Sequence, residues 1–269
     1  MNSPAEVAKN YIGIGRGKVS LPVSKMFLLG LMAGMFIALA GVGASTASCT
    51  VNSASLAKLI SGLVFPAGLA MVLLAGSELF TGNCLLVIPL LEREITLPAM
   101  LKSWVVVWLG NLAGSLIVSA VCVYGGQLSL FGGALAAAEL STAAAKCSLG
   151  FGSAFLKGVG CNFLVCIAVW ISFAAKDVAG KIAGLFFPIL LFVVSGFEHS
   201  VANMYYISVG LLAKGNAACL AAAAGTDLSA LTWGNFFTAN LIPVTLGNLV
   251  GGCAVGLVYW YCYLRQNRD

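Results

Sequence analysis

Val194-Ser195-Gly196-Phe197-Glu198-His199-Ser200-Val201-Ala202-Asn203 is an island of glycine and polar side chains between two hydrophobic runs, and it holds the only histidine of the chain. An ionisable group inside a membrane is costly, and it marks a pathway or a partner. The island has a double much earlier, Ala75-Gly76-Ser77-Glu78-Leu79-Phe80-Thr81-Gly82-Asn83. The two agree at Gly76/Gly196, Glu78/Glu198 and Asn83/Asn203. Interrupted hydrophobic segments at corresponding places in two halves point to a binding site near the middle of a bilayer.

The composition around these islands requires lipid as solvent. Of 269 residues 60% are hydrophobic and 9% charged, with a mean hydropathy of +1.00, whereas a soluble domain carries about 25% charged residues. That surplus of apolar surface fits one membrane domain over residues 1–269, with short tails at 1–20 and 265–269. The first twenty residues contain Lys9, Arg16 and Lys18 but no apolar core followed by a small-residue cleavage site, so no signal peptide is expected. The net charge of +5 comes from scattered basic residues without a stripe or aromatic platform, which argues against nucleic acid as a partner. The nine cysteines show no CxxC or Cys/His spacing, so neither a metal nor another cofactor is expected. Cys147 and Cys219 fall in predicted loops on one side, as a disulfide or as two free thiols.

About 20 apolar residues cross a bilayer core. Four stretches qualify directly: Phe27–Ala47, Trp104–Tyr124, Phe155–Ala175 and Phe236–Tyr263. Leu56–Leu91 and Ile182–Leu212 contain the islands, and each reads as a helix, a break and a shorter helix. The result is an all-α membrane protein of six spans, with the second and fifth broken. Lys9, Arg16, Lys18, Lys25, Arg93, Lys102, Lys176, Lys181, Arg265 and Arg268 fall on one side, against Lys58, Lys146, Lys157 and Lys214 on the other. The positive-inside rule then puts both termini in the cytoplasm. Trp104 and the Tyr259–Trp260–Tyr261 cluster suit the interfacial belt.

The repeat extends beyond the islands. Leu109-Gly110-Asn111-Leu112-Ala113-Gly114 of span three matches Leu246-Gly247-Asn248-Leu249-Val250-Gly251 of span six. Phe27-Leu28-Leu29-Gly30 of span one matches Phe155-Leu156-Lys157-Gly158 of span four. Three spans per copy force the second copy to insert upside down, so the two breaks meet around a pseudo-two-fold axis.

Broken backbone is tolerated at membrane depth only where it is buried in protein or lines a cavity. The second half-helix of each pair points its N-terminus at the break, and such a terminus attracts anions. Lys146, between spans three and four, reads either as a lysine that concentrates anions at a pore mouth or as a solvated loop charge. His199, with an ordinary pKa of about 6.5, could share a proton with a weak-acid anion and let it cross as the neutral acid. The plain alternative is a core histidine that bonds the broken backbone, for instance near Thr81. Glu78 and Glu198 read either as ligands for a cation or, in preference because an exposed carboxylate would repel anions, as carboxylates that accept hydrogen bonds from half-helix N–H groups and hold the loops. Leu69, Leu79, Phe80, Val165 and Phe192 are ordinary apolar residues whose placement around the islands suggests constrictions.

These motifs resemble the formate/nitrite transporter family. The carrying residues are Gly76 to Asn83, Lys157-Gly158 with Asn162-Phe163-Leu164-Val165-Cys166, Ser195 to Met204, and Leu246-Gly247-Asn248. The resemblance runs from about Leu21 to Tyr261 and is weaker over the first twenty residues. It implies homopentamers of aquaporin-like protomers, each with its own pore for small monovalent anions such as formate, nitrite, hydrosulfide, lactate or acetate, in the plasma (inner) membrane. By motif position Thr81 would face His199, and Lys146 and Asn162 would bias the outer vestibule and central site, with Glu198 and Asn203 beside them. Leu79, Phe80 and Val165 would form the outer constriction, and Leu69 and Phe192 the inner one. Formate is the first-choice substrate, with nitrite and hydrosulfide as alternatives. An aquaporin-like pore for neutral solutes is a more distant rival, although the Asn-Pro-Ala boxes of an aquaporin are absent. An intramembrane enzyme would need a nucleophile–base pair or metal ligands, and the single histidine beside Glu198 supplies neither.

Overall fold

The computed structural model describes residues 1–265. Arg268 and nearly all of the expected 265–269 tail lie outside the described residues.

The chain opens with α1 (Pro4–Ser20), where Ser3 and Glu6 form a reciprocal capping box. The first span, α2 (Val23–Ser48), follows. Ser53 caps α3 (Ala54–Val64), which runs through Pro66 into α4 (Pro66–Ala75). After the break come α5 (Phe80–Asn83), a 3-10 turn (Cys84–Leu86) and α6 (Val87–Leu91). The long α7 (Leu97–Tyr124) is capped by Thr96 and begins earlier than the expected Trp104. A 3-10 segment (Gln127–Gly133) leads to α8 (Ala134–Cys147). The second half consists of α9 (Phe151–Ala174), α10 (Val178–Val194), α11 (Ser200–Ala213), α12 (Ala217–Ala222), α13 (Trp233–Asn235), a π turn (Phe236–Leu241) and α14 (Ile242–Tyr263).

Among the described residues six helical stretches are long and apolar enough to cross a membrane, and α10, α11 and Phe80–Leu91 are shorter apolar helices. Spans two and five are broken at 76–79 and 195–199, as the islands require. The expected loop between spans three and four is instead largely helical, and Gln127–Cys147 is itself long and apolar enough to count among the six. Its alanines are strong helix formers. Cys147 and Cys219 therefore sit on α8 and α12 rather than in loops, and both are free thiols.

The matching glycines explain how each half packs. α2 lies against α7, and α9 against α14. A Cβ on Gly110 would stand 2.6 Å from the Phe27 carbonyl oxygen, and one on Gly247 would collide with the equivalent carbonyl of Phe155. Backbone therefore touches backbone at the same place in both halves, as small residues permit between membrane helices. Trp104 departs from the expected interfacial role: its indole N–H is turned into the protein and donates to the Asn83 carbonyl at 2.8 Å.

Candidate functional site: two braced breaks meeting at a histidine

Each break starts with a glycine in the left-handed region, Gly76 at φ +78° and Gly196 at φ +69°. Glycine enters that region without steric cost. The Glu78 N–H then donates to the Leu29 carbonyl at 3.2 Å, and the Glu198 N–H to the Lys157 carbonyl at 3.3 Å. The asparagines of the matched Gly-Asn motifs satisfy the rest of the broken backbone. Asn111 Oδ1 accepts the Phe80 N–H at 3.0 Å, while its Nδ2 donates to the Gly30 and Glu78 carbonyls. Asn248 does the same with the Ser200 N–H at 2.9 Å and the Gly158 and Glu198 carbonyls. These asparagines fill the role expected of Glu78 and Glu198. An amide can both donate and accept, whereas an ionised carboxylate only accepts and cannot satisfy the carbonyls of the break.

The two carboxylates are instead held by side chains. Glu78 accepts from Lys18 Nζ at 2.9 Å and from Asn83 Nδ2 at 2.8 Å. Glu198 accepts from Lys146 Nζ at 2.8 Å and from Asn203 Nδ2 at 2.6 Å. Both ion pairs are largely buried. Such a pair is costly to break, because the remaining charge stays buried without a partner. The expected reading of Lys146 as a solvated loop charge is thereby overturned. It sits in the last turn of α8 and neutralises Glu198.

Beyond the braces the two breaks meet. Thr81 Oγ1 lies 3.0 Å from His199 Nε2, both residues being buried. His199 Nδ1 accepts the Ala202 N–H at 3.0 Å, so the imidazole is the N-cap of α11. With Nδ1 occupied as an acceptor, the neutral ring carries its proton on Nε2. Asn162 Nδ2 donates to the Thr81 carbonyl at 3.2 Å and to the Asn248 carbonyl at 2.7 Å, and the Cys166 thiol also donates to the Thr81 carbonyl. Asn162 therefore fixes the position of Thr81.

A cavity approaches this meeting point from each side. On the Lys146 side it measures about 160 Å³ and is lined by Ser45, Lys58, Lys146, Phe65, Phe192 and His199 among others. On the Lys18 side it measures about 30 Å³, with Tyr11, Leu69, Val72, Leu79 and Val169 in its wall.

The chain matches the Formate/nitrite transporter family over residues 5–261. It belongs to the formate/nitrite transporter family. It is 40% identical to "Probable formate transporter" of Methanothermobacter thermautotrophicus, with 98% of each chain covered. It is 36% identical to "Formate channel FocA" of Escherichia coli (strain K12), over 98% of this chain and 95% of that one. Among solved structures it is similar to a "Pentameric formate channel with formate bound", at a TM-score of 0.81 and 35% identity, over 90% of this chain and 98% of that one. An "FNT family ion channel" gives a TM-score of 0.80 at 30% identity, over 96% and 98%. The family is one of membrane transporters and not of enzymes, and the chain is a multi-pass membrane protein with the six-span, inverted-repeat fold.

Within this formate/nitrite transporter fold the residues expected at two constrictions are divided between the two cavities and the packed interior. Phe192 lies on the Lys146 side, stacked on the His199 ring at 5.9 Å and edge-on to Phe65 at 5.6 Å. Leu79 and Leu69 line the Lys18-side cavity. Leu79 and Phe192, expected at the outer and inner constrictions, thus lie on the Lys18 and Lys146 sides respectively, and Leu69, expected with Phe192, lies with Leu79. Phe80 and Val165 are buried and line neither cavity.

Sequence reasoning passed over three residues. Lys58 is a second lysine in the wall of the larger cavity. Tyr11 is fully buried, and its hydroxyl donates to the Gly82 carbonyl at 3.4 Å from the Lys18 side. Glu139 is a fully buried acid on α8. A lone carboxylate among the alanines at 134, 136–138 and 143–145 was the signal that could have singled it out.

Proposed function

We propose that the chain passes small monovalent weak-acid anions across the plasma (inner) membrane, formate first among them, as a homopentamer with one pore per protomer and both termini in the cytoplasm. The observation that carries this reading is the Thr81–His199 contact of 3.0 Å, which joins the two breaks between two cavities. The pentamer and the substrate rest on the relatives named above. The orientation rests on the excess of basic residues on the Lys18 side.

An anion is drawn into the larger cavity by Lys58 and Lys146, while the pairing of Lys146 with Glu198 cancels a charge that would repel it. Past Phe65 and Phe192 the wall is apolar, and a bare anion there would be prohibitively costly. At that point the anion replaces Thr81 as acceptor of the His199 Nε2–H. Full transfer of that proton would leave an imidazolate unless a second proton entered at Nδ1. Entry at Nδ1 would break the cap to Ala202 and put a cation at the positive end of α11. His199 therefore works as a fixed hydrogen-bond donor, and the proton that neutralises the anion arrives with it from the aqueous cavity. Coupling to protons then depends on the histidine's hydrogen bond to the crossing anion, with no transfer of its own proton. Thr81 and Asn162 keep the opposite wall in place, and Leu79, Leu69 and Val72 form the dry exit toward Lys18.

Stopped-flow uptake of formate, nitrite and hydrosulfide into proteoliposomes across a pH series tests this. Formate uptake that rises with an inward proton gradient is expected. Preference for nitrite or hydrosulfide would replace formate within the same family, and permeation by neutral solutes alone would overturn the anion reading.

A further inference from the structure

Glu139 is not used by the mechanism above, yet it is fully buried in the middle of α8. Its Oε1 accepts the Tyr205 hydroxyl at 2.9 Å, and its Oε2 is inaccessible and has no hydrogen-bond partner. No lysine or arginine among the described residues forms an ion pair with it, and Lys146, two turns further along the same helix, is held by Glu198. Its titratable neighbours are Tyr205 and Tyr206 on α11, Cys122 on α7 and Cys49 just past α2. Of the other elements packed on α8, α12 brings only Cys219, and the Gln127–Gly133 and Phe236–Leu241 segments bring no titratable group. Tyrosine and cysteine are neutral near pH 7, so no cation faces this carboxyl group. A buried carboxylate in that setting is costly, and taking up a proton relieves the cost.

The location gives that proton a consequence. Ala138 and Thr142, its neighbours on α8, line the Lys146-side cavity, as does Tyr206. A charge on Glu139 would therefore stand directly behind the cavity wall, where the low-dielectric surroundings screen it poorly.

We propose that Glu139 is a proton-binding site that sets anion entry from the Lys146 side. With its carboxyl group protonated, the wall is neutral and anions enter; once it has released the proton to cavity water, the carboxylate repels them. This rests on the anion-transport reading and adds to it a control site outside both broken spans.

The test measures formate uptake by wild type and Glu139→Gln proteoliposomes over the same pH series. Taking the ratio at each pH removes the change in formate protonation itself. The ratio should stay near one at the acid end and rise at least threefold at the alkaline end, whereas a flat ratio would overturn the control role. Infrared difference spectra decide the site independently of transport. A protonated-carboxyl band absent from Glu139→Gln should fade over the pH interval in which the ratio rises. If no such band appears at any pH, the site is wrong even if formate is transported; if the band titrates but no formate crosses, the transport reading has failed instead. Tyr205→Phe removes the Tyr205 hydroxyl that donates to the carboxylate and should move the fading to higher pH, and an unmoved band would contradict the geometry.

Discussion

In the first half of the chain, Lys18, Glu78 and Asn83 hold a break that ends in Leu79 and Thr81. In the second, Lys146, Glu198 and Asn203 hold a break that ends in His199 and Val201. The braces are copies, down to the asparagines that satisfy the backbone and the glycines at positive φ. The residues at the centre differ. One break contributes an imidazole and the other a hydroxyl, and the cavities beside them measure about 160 and 30 Å³. The repeat thus supplies a scaffold that holds open backbone at membrane depth, and the departures from the repeat supply the chemistry. Substituting a copied residue should damage folding in either half. Substituting a residue that differs should alter transport more than folding.

The largest folding effect is expected for Lys146→Ala, which strands Glu198 in the protein. Breaking one side of a buried pair costs about 3–5 kcal/mol. Lys18→Ala should cost less, because Glu78 and Lys18 are somewhat more exposed. Thermal unfolding of the detergent-solubilised protein measures both, and recovery in Lys146→Met/Glu198→Gln would confirm the cause. In the recovered double variant, formate uptake should weaken most at low concentration, since one of the two lysines in the cavity wall is gone. Equal stability of Lys146→Ala and wild type would break the comparison.

Next in size is Gly247→Val. Overpacking typically costs about 1–3 kcal/mol, and more where backbone must move. A side chain there meets the Phe155 carbonyl. Gly110→Val should behave alike, because the same contact recurs with Phe27. A difference in melting temperature between the two much larger than the scatter would show that the halves are not equivalent scaffolds.

The smallest effect on uptake is predicted for Tyr11→Ala. Removing this buried ring widens the Lys18-side cavity, and it also loses the edge contact with Phe173 and a long hydrogen bond to Gly82. Formate uptake per folded protein should rise severalfold, while truncation of so buried a ring lowers stability by about 3–5 kcal/mol. An unaltered rate would place the resistance elsewhere, on Leu79 or on Phe65 and Phe192.

Much of this arrangement was legible in the chain. The islands at 75–83 and 194–203 and the paired Gly-Asn motifs announced the breaks and the repeat, because glycine and polar residues inside apolar runs have few other uses in lipid. That the two breaks meet followed from inverting one copy, and that Thr81 faces His199 was what the family resemblance implied. The partners of Glu78 and Glu198 were not legible. Lys18 and Lys146 are distant in sequence and lie in segments that read as tail and loop, and only tertiary packing brings them to the carboxylates. The grouping of Leu69 with Leu79, apart from Phe192, has the same origin, since tertiary packing decides which cavity each side chain lines. Glu139 escaped because a buried acid without a cation leaves no pattern in charge spacing.

The central claim is that a neutral imidazole, fixed by Ala202 at Nδ1, donates from Nε2 to an anion crossing between the two cavities. Stopped-flow formate uptake by His199→Phe proteoliposomes under an inward proton gradient tests it most directly. Phenylalanine matches the ring and has no donor, so the rate should fall roughly 100-fold, the equivalent of the ~3 kcal/mol of a hydrogen bond to a charged partner. Uptake at the wild-type rate, with the same dependence on the proton gradient, would contradict the account.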